Sequence, residues 1–161
     1  MNSKIVSIAL YGKRGGAALV DRDIFEKIGH FHWRLNKGGY VVRSVLIDGK
    51  HTIKYLHHEV MQPGDGAEVD HRNGLRSDNT RKNLRLATRA QNNGNTEKHG
   101  IRSSRFKGVS WAKHRSKWSA QIHNHNRKQH LGLFEDEADA ARAYDAAAIE
   151  YFGDFAKTNN P

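Results

Sequence analysis

The stretch Val69-Asp70-His71-Arg72-Asn73-Gly74, followed by Ser77-Asp78-Asn79, Lys82-Asn83-Leu84-Arg85 and Thr88-Arg89-Ala90-Gln91-Asn92-Asn93, decides how this chain is read. It reads as strand, loop, strand and helix. Thr88 with Gln91 three residues later has the form of a capping box, so a helix is expected to start just after the second strand and to carry Asn92 in its first turns. Asp70 and Asn92 can then converge from two elements. A carboxylate with an amide oxygen is a hard-oxygen pair suited to Mg2+ or Mn2+, with water and phosphate completing the shell, whereas zinc would want more nitrogen or sulfur. His71 stands beside Asp70 and can act as general base, because an imidazole of pKa about 6.5 is largely neutral near neutral pH. The bland alternative is a polar loop whose Asp and Asn side chains only satisfy turn backbone.

Upstream of this stretch the chain reads as short strands and turns. Alternation marks Lys4–Leu10, and runs at Tyr40–Ile47 and His51–Leu56 flank Asp48-Gly49. That pair predicts a two-residue hairpin, since Asp-Gly supplies the positive φ angles such a turn needs. Asp21 can cap a short helix through Ile28, with Gly29 ending it. Phe31, Trp33 and Tyr40 are expected as small-core aromatics. Residues 56–62 look like one or two helical turns stopped by Pro63 and Gly64. His58-Glu59 invites a metalloprotease reading that fails, because the position four after His58 is Gln62 rather than a second His. His57 and His58 are therefore expected to pack or hydrogen-bond rather than bind metal.

Charge separates the downstream half into two parts. The chain has 161 residues, 27 Lys and Arg against 17 Asp and Glu, and a formal net charge of +10, which suits a polyanionic partner. Residues 100–133 hold eight of the bases (Arg102, Arg105, Lys107, Lys113, Arg115, Lys117, Arg127, Lys128) and no acid. Residues 134–161 hold seven acids against Arg142 and Lys157. One element is thus a cationic face and the other points elsewhere. In Lys117–His123 the residues Trp118, Ala120 and Ile122 fall on one strand face, and Lys117, Ser119, Gln121 and His123 on the opposite, polar one. The Ala-rich stretch Asp136–Phe152 predicts a helix ended by Gly153 and set close against the sheet. A metal reading of His123-Asn124-His125 is disfavoured, because Asn124–Asn126 looks like turn chemistry.

The residues from Leu56 to Asn93 resemble the HNH endonuclease module of phage and intron homing endonucleases, with its Asp-His, Asn-Gly, Asp-Asn, Asn-Leu-Arg and terminal Asn signature. The resemblance implies a ββα-metal fold in which Asp70 and Asn92 bind the divalent ion and His71 activates water. Asn83 is implied to hold the loop and orient the His. The motif ends in Asn rather than His, and whether Asn92 or Asn93 is the ligand stays open. Adjacent Arg72, Arg76, Arg81, Arg85 and Arg89 support phosphate contact. The segment Arg105 to Asn159 resembles the Apetala-type DNA-binding domain of plant ethylene-response factors, through Phe106-Lys107-Gly108-Val109, Trp118–Ile122, His130–Phe134, Ala140–Ala147 and Gly153. That likeness implies a sheet lying in the major groove, and by position assigns DNA contact to Lys107, Ser110, Lys113, His114, Gln121, His123, Lys128 and His130, besides Arg72, Arg81 and Arg85 of the nuclease stretch. Several family Arg or Trp positions are Ser, Gln or His here, so the plant target sequence does not carry over.

These readings combine into an α+β chain: an N-terminal β-rich region (1–55), a ββα-metal HNH nuclease module (56–93), a linker (94–104), and a three-stranded antiparallel sheet packed on one C-terminal helix (105–159). Nothing in the motif requires the later strands, so the catalytic constellation is expected to survive truncation near His99. The expected activity is metal-dependent hydrolysis of DNA phosphodiesters, as a homing-type enzyme using Mg2+ or Mn2+. The alternatives are a DNA-binding transcriptional regulator with an inactive nuclease module and, more weakly, an RNA-directed protein, for which the sheet lacks exposed aromatic positions. Double-stranded DNA is the expected partner, with no membrane, no obligate protein partner, and a monomer in solution. The absence of cysteine excludes disulfides and thiolate metal sites. No signal peptide or membrane-spanning run is read, and the cytoplasm of a bacterial or phage-infected cell is the expected location.

Overall fold

The computed structural model describes residues 4–96, 103–124 and 127–161. Residues 97–102 of the expected linker, the truncation point His99, the cation Arg102 and the 125–126 part of the expected turn lie outside them. The chain divides into two compact units, Met1–Ala87 and Thr88–Pro161. Together they give the mixed α+β architecture that the sequence implies. No described helix is long and apolar enough to cross a membrane.

In the first unit β1 (Ile5–Ala9) pairs antiparallel with β2 (Ala17–Asp21), and α1 (Arg22–Ile28) follows. A second sheet, ordered β3-β4-β5, is formed by β3 (Arg34–Leu35), β4 (Val41–Ile47) and β5 (Lys50–Tyr55). Its β4–β5 hairpin turns on Asp48 (φ 48°) and Gly49 (φ 72°), as the Asp-Gly pair predicts. The short α2 (Leu56–Met61) then leads to the antiparallel pair β6 (Glu68–His71) and β7 (Leu84–Ala87). Ile8, Val20, Trp33, Val41, Leu56, Val69 and Leu84 meet in one apolar core, so both β6 and β7 are anchored by inward side chains.

Two local expectations change. Asp21 does stand at the N-cap of α1, yet its side chain makes no capping bond; its Oδ2 accepts instead from the Arg81 backbone N–H at 2.8 Å. A buried carboxylate serves a distant loop amide here. Gly29 ends α1 without a positive φ (−65°), and what requires glycine is space, since a Cβ would lie 2.5 Å from the Phe25 carbonyl oxygen. Of the three aromatics, Trp33 is fully buried and Phe31 packs at the core's edge, whereas Tyr40 is half-buried with its ring beside His57 and His71.

The second unit begins with α3 (Arg89–Gly94), continues through β8 (Val109–Ala112), β9 (Lys117–Asn124) and β10 (Arg127–Phe134) in a sheet ordered β10-β9-β8, and ends with α4 (Glu137–Phe152). Asp136 caps α4 by accepting from Ala138 N and Asp139 N, and Gly153 terminates it at φ 51°. The buried Ala140, Ala141, Ala147 and Ala148 present little more than backbone to the sheet, which lets α4 lie close over Ala120 and Ile122. Gly108 shows how close: a Cβ there would fall 2.0 Å from the Tyr144 ring and 2.6 Å from the Gln121 carbonyl.

The nuclease motif does not end within the first unit. The last motif helix, α3, packs on α4 and on the 3-10 turn Gly153–Phe155, and belongs to the second unit. A helix of 6 residues is too short to persist by its own hydrogen bonds and takes its stability from what it packs against.

Candidate active site and polar sheet face

The β6–β7 register makes Asp70 the cross-strand partner of Arg85 and His71 that of Leu84. Arg85 Nε donates to Asp70 Oδ2 at 2.7 Å, and both side chains are buried, at 8% and 5% exposure. The loop between the strands is closed by its own amides. Asn83 accepts from the Asn73 backbone N–H through Oδ1 (3.0 Å) and donates through Nδ2 to the Asp78 carbonyl (2.8 Å), joining the two sides of the loop. Asn73 Nδ2 donates to Asp78 Oδ2, and the Thr80 hydroxyl donates to Asp78 Oδ1, both at 2.9 Å. Gly74 turns the chain after His71 at φ 73°. The Asn83 amide thus supplies partners to two backbone groups that no strand neighbour reaches.

His71 is buried, and its Nε2 stands 3.4 Å from Oδ1 of the fully buried Asn79, whose Nδ2 donates to the Arg76 carbonyl. With the proton on Nε2 directed at this oxygen, the basic lone pair is on Nδ1. Burial pulls the His71 pKa below the ordinary imidazole value, against the raising effects of the Asn79 hydrogen bond and the Asp70 charge. The ring is neutral at pH 7 and able to accept a proton. His57, from α2, meets it edge-on with ring centroids 5.2 Å apart. His57 is buried with no hydrogen-bond partner at Nδ1 among the described residues, and burial followed by the neighbouring His71 charge lowers its pKa to about 3. It acts as an aromatic wall rather than an ion.

Sequence reasoning missed three neighbours of His71. Asn79 supplies the hydrogen bond at the imidazole, Tyr40 flanks it at 6.3 Å, and Arg76 lies over the Tyr40 ring at 4.4 Å while donating to the Gly38 carbonyl. The Asn79 signal was present in Ser77-Asp78-Asn79, a triplet that belongs to the motif itself. Tyr40 and Arg76 are far apart in sequence, and nothing local could pair them.

The α3 helix opens with the capping box that the Thr88 and Gln91 spacing predicts: Gln91 N donates to Thr88 Oγ1 (3.3 Å) and Thr88 N to Gln91 Oε1 (2.8 Å). Asn92 is half-buried and Asn93 exposed. Among the described residues no three His, Cys, Asp or Glu side chains group as a metal site. The donor types of Asp70 and Asn92 fit a hard divalent cation that keeps water and phosphate ligands, and any cation at Asp70 must share that carboxylate with Arg85.

On the second unit, the strand faces separate as the alternation predicts. Ala120 and Ile122 are buried toward α4. The opposite face aligns His123 with Lys128, Gln121 with His130, and Ser119 with Ser110 by register, and Ser119 Oγ lies 3.4 Å from His130 Nδ1. Lys113 and His114 are exposed on the turn between β8 and β9. One aromatic is exposed against expectation: Trp111, 42% accessible, whose register partner Trp118 assigns it to the helix side rather than the polar face. Three of the cations expected at DNA engage protein groups. Arg81 makes a two-pronged pair with Asp23 (2.7 and 2.6 Å), Arg85 holds Asp70, and the half-buried Lys107 directs its amine, lowered by burial to a pKa of about 8, at the carbonyls of Gly94 and Thr96. Arg72 is exposed beside His71.

Comparison with known proteins finds two kinds of relative. The sequence pattern of the HNH endonuclease family matches residues 50–94. An uncharacterized HNH endonuclease of Acanthamoeba polyphaga mimivirus is 31% identical over 160 residues, covering 96% of this chain and 81% of that protein. An AP2/ERF and B3 domain-containing protein of Oryza sativa subsp. japonica is 49% identical over 59 residues, 37% of this chain but only 16% of the plant protein. An ethylene-responsive transcription factor of Arabidopsis thaliana is 41% identical over 58 residues, again a small part (14%) of its length. The plant likeness is therefore confined to a domain-sized piece, whereas the viral one runs through nearly the whole chain, and the protein described here belongs to the HNH endonuclease family.

Proposed function

We propose that this chain is a homing-type DNA endonuclease that hydrolyses phosphodiester bonds with a divalent cation, Mg2+ or Mn2+, held by Asp70 and Asn92. The observation that carries the reading is the buried, neutral His71 beside Asp70, turned by Asn79. His71 takes the proton from the attacking water as the water oxygen bonds to phosphorus. The bond from phosphorus to the 3′ oxygen breaks, solvent protonates that oxygen, and the products are a 3′-hydroxyl and a 5′-phosphate. When bound, the cation supplies charge neutralisation at the phosphate and at the departing oxygen. Asn83 keeps the loop closed under His71, and His57 shields the ring from water on one side.

Site choice is assigned to the polar face of the β8–β10 sheet, with Ser110, Gln121, His123 and His130 toward base edges and Lys128, Lys113 and His114 toward phosphates, joined by Arg72 in the nuclease unit. Arg81, Arg85 and Lys107 are left out of this contact set because their charges face protein groups. The viral relative and the phage and intron enzymes that the motif resembles support the nuclease reading. A second reading, a DNA-binding regulator with an inactive nuclease module, draws on the Asp70–Arg85 pair, since a carboxylate already neutralised has less need of a cation. Incubating the protein with supercoiled plasmid and host genomic DNA, in Mg2+, Mn2+ or EDTA, separates them. Relaxed or linear product that needs metal and disappears in His71→Ala is the expected result. No conversion under any condition would leave the regulator.

A further inference from the structure

We infer that Lys107 is a positioning residue for the nuclease, its ammonium holding the end of the helix that carries Asn92. The inference rests on the proposed ligand role of Asn92. The N-terminal end of α3 is closed by its capping box. Its C-terminal end has orphan carbonyls, which every helix must hand to some donor. Here Lys107 Nζ donates to the Gly94 carbonyl at 2.7 Å and to the Thr96 carbonyl at 2.6 Å. The Lys157 backbone N–H adds a longer bond to Gly94 O at 3.3 Å. A cation at this end also meets the negative pole of the helix.

Two further features show that the contact is built into the unit. Gly94 lies flat on the Phe152 ring, where a Cβ would fall 2.7 Å from Cγ, so the last residue of α3 is fitted to the last residue of α4. The Lys107 backbone is clamped in turn: its N–H donates to Asn159 Oδ1 at 2.6 Å and its carbonyl accepts from Asn159 Nδ2 at 3.1 Å, while Asp145 of α4 accepts from the Asn159 backbone. Lys107 is thus fixed at its backbone by the DNA-facing domain and at its amine by the nuclease motif's last helix. Whatever shifts the sheet shifts α3, and a family-typical lysine at the start of the DNA-binding domain acts here on metal affinity rather than on phosphate.

The test uses the full chain and the variants Lys107→Met, Gly94→Ala and Asn92→Ala. Mn2+ affinity is read directly, from the electron paramagnetic resonance of the free ion. DNA affinity is read by anisotropy on a random-sequence duplex in EDTA. Lys107→Met should weaken Mn2+ binding about tenfold, as residues supporting a ligand typically do, with DNA affinity within about twofold of the parent. Lys107→Arg should restore part of the loss. Gly94→Ala, which displaces α3 from Phe152 and leaves the lysine intact, should weaken Mn2+ binding in the same direction and keeps the proposal open to test if Lys107→Met misfolds. Unchanged Mn2+ binding in both variants, with Asn92→Ala weakened, overturns the inference alone. Weaker DNA binding with a flatter salt dependence in Lys107→Met overturns it in favour of a phosphate contact. If Asn92→Ala itself leaves Mn2+ affinity unchanged, the ligand assignment fails and takes the inference with it.

Discussion

The strand pair β6–β7 and the sheet β8–β10 dispose of their polar side chains in opposite ways. The first buries them: Asp70, His71 and Arg85 on the strands, and Asn79 and Asn83 in the loop, are all nearly inaccessible, and Asp70 with Arg85 and His71 with Asn79 satisfy one another inside the enclosure. The second exposes them: His123, Lys128 and His130 stand on an open face over an apolar layer of Ala120 and Ile122. Buried polar groups are costly to leave unmatched, so substitutions in the first region should change stability together with chemistry. Exposed ones are cheap, so substitutions in the second should change recognition with the fold untouched.

The largest expected effect is on rate. His71→Ala should lower cleavage by about 10²–10⁴-fold, the usual contribution of a general base, with DNA affinity nearly unchanged. Single-turnover cutting of a plasmid measures it, and full activity in the variant would remove His71 from the mechanism. Next is the buried ion pair. Arg85→Met leaves the Asp70 carboxylate enclosed without its cation and should cost about 3–5 kcal/mol of stability in EDTA, since breaking one side of a buried pair strands the other. Added Mg2+ should recover more of the melting temperature in this variant than in the parent, because the ion no longer competes with Arg85 for Asp70. Equal Mg2+ shifts in both proteins would mean that no cation reaches Asp70.

A smaller effect is expected with pH. His57 has a folded pKa of about 3, below its unfolded value near 6.5, so the unfolded chain binds the extra proton first. The stability held by neutral His57 is complete above pH 6.5 and is lost as the pH falls toward 3, amounting to roughly 2–3 kcal/mol between pH 6.5 and 4.5. His57→Phe, which keeps the aromatic wall against His71, should flatten that acid limb in urea titrations at the two pH values. An unaltered limb would show that His57 is accessible enough to protonate in the native state. Smallest in stability terms are the sheet-face changes. Gln121→Ala and His123→Ala should stay within about 0.5 kcal/mol of the parent, yet relax sequence preference in a binding selection more than Lys117→Ala does. Lys117 already pairs with Glu135 at 2.8 Å and has the weaker claim on DNA.

The sequence by itself determined the elements and the chemistry they carry. Asp48-Gly49 specified its hairpin because few residues tolerate the two positive φ angles, Thr88 and Gln91 specified the start of α3 because a capping box is local, and the alternation in Lys117–His123 specified which strand face turns to the helix. Asp70 and His71 were legible as a pair because they are neighbours in the chain. Only the tertiary structure decided which charges are free and which helix leans on what. Arg81, Arg85 and Lys107 look alike in a basic sequence, and their partners Asp23, Asp70 and Gly94 lie from 13 to 58 residues away. Composition cannot distinguish a lysine that meets solvent from one that caps a helix, because the difference is made by distant backbone carbonyls brought to hydrogen-bond distance. The same holds for α3, whose sequence belongs to the nuclease motif and whose packing belongs to the domain that follows: six residues carry a motif, but too few contacts of their own to choose where they rest.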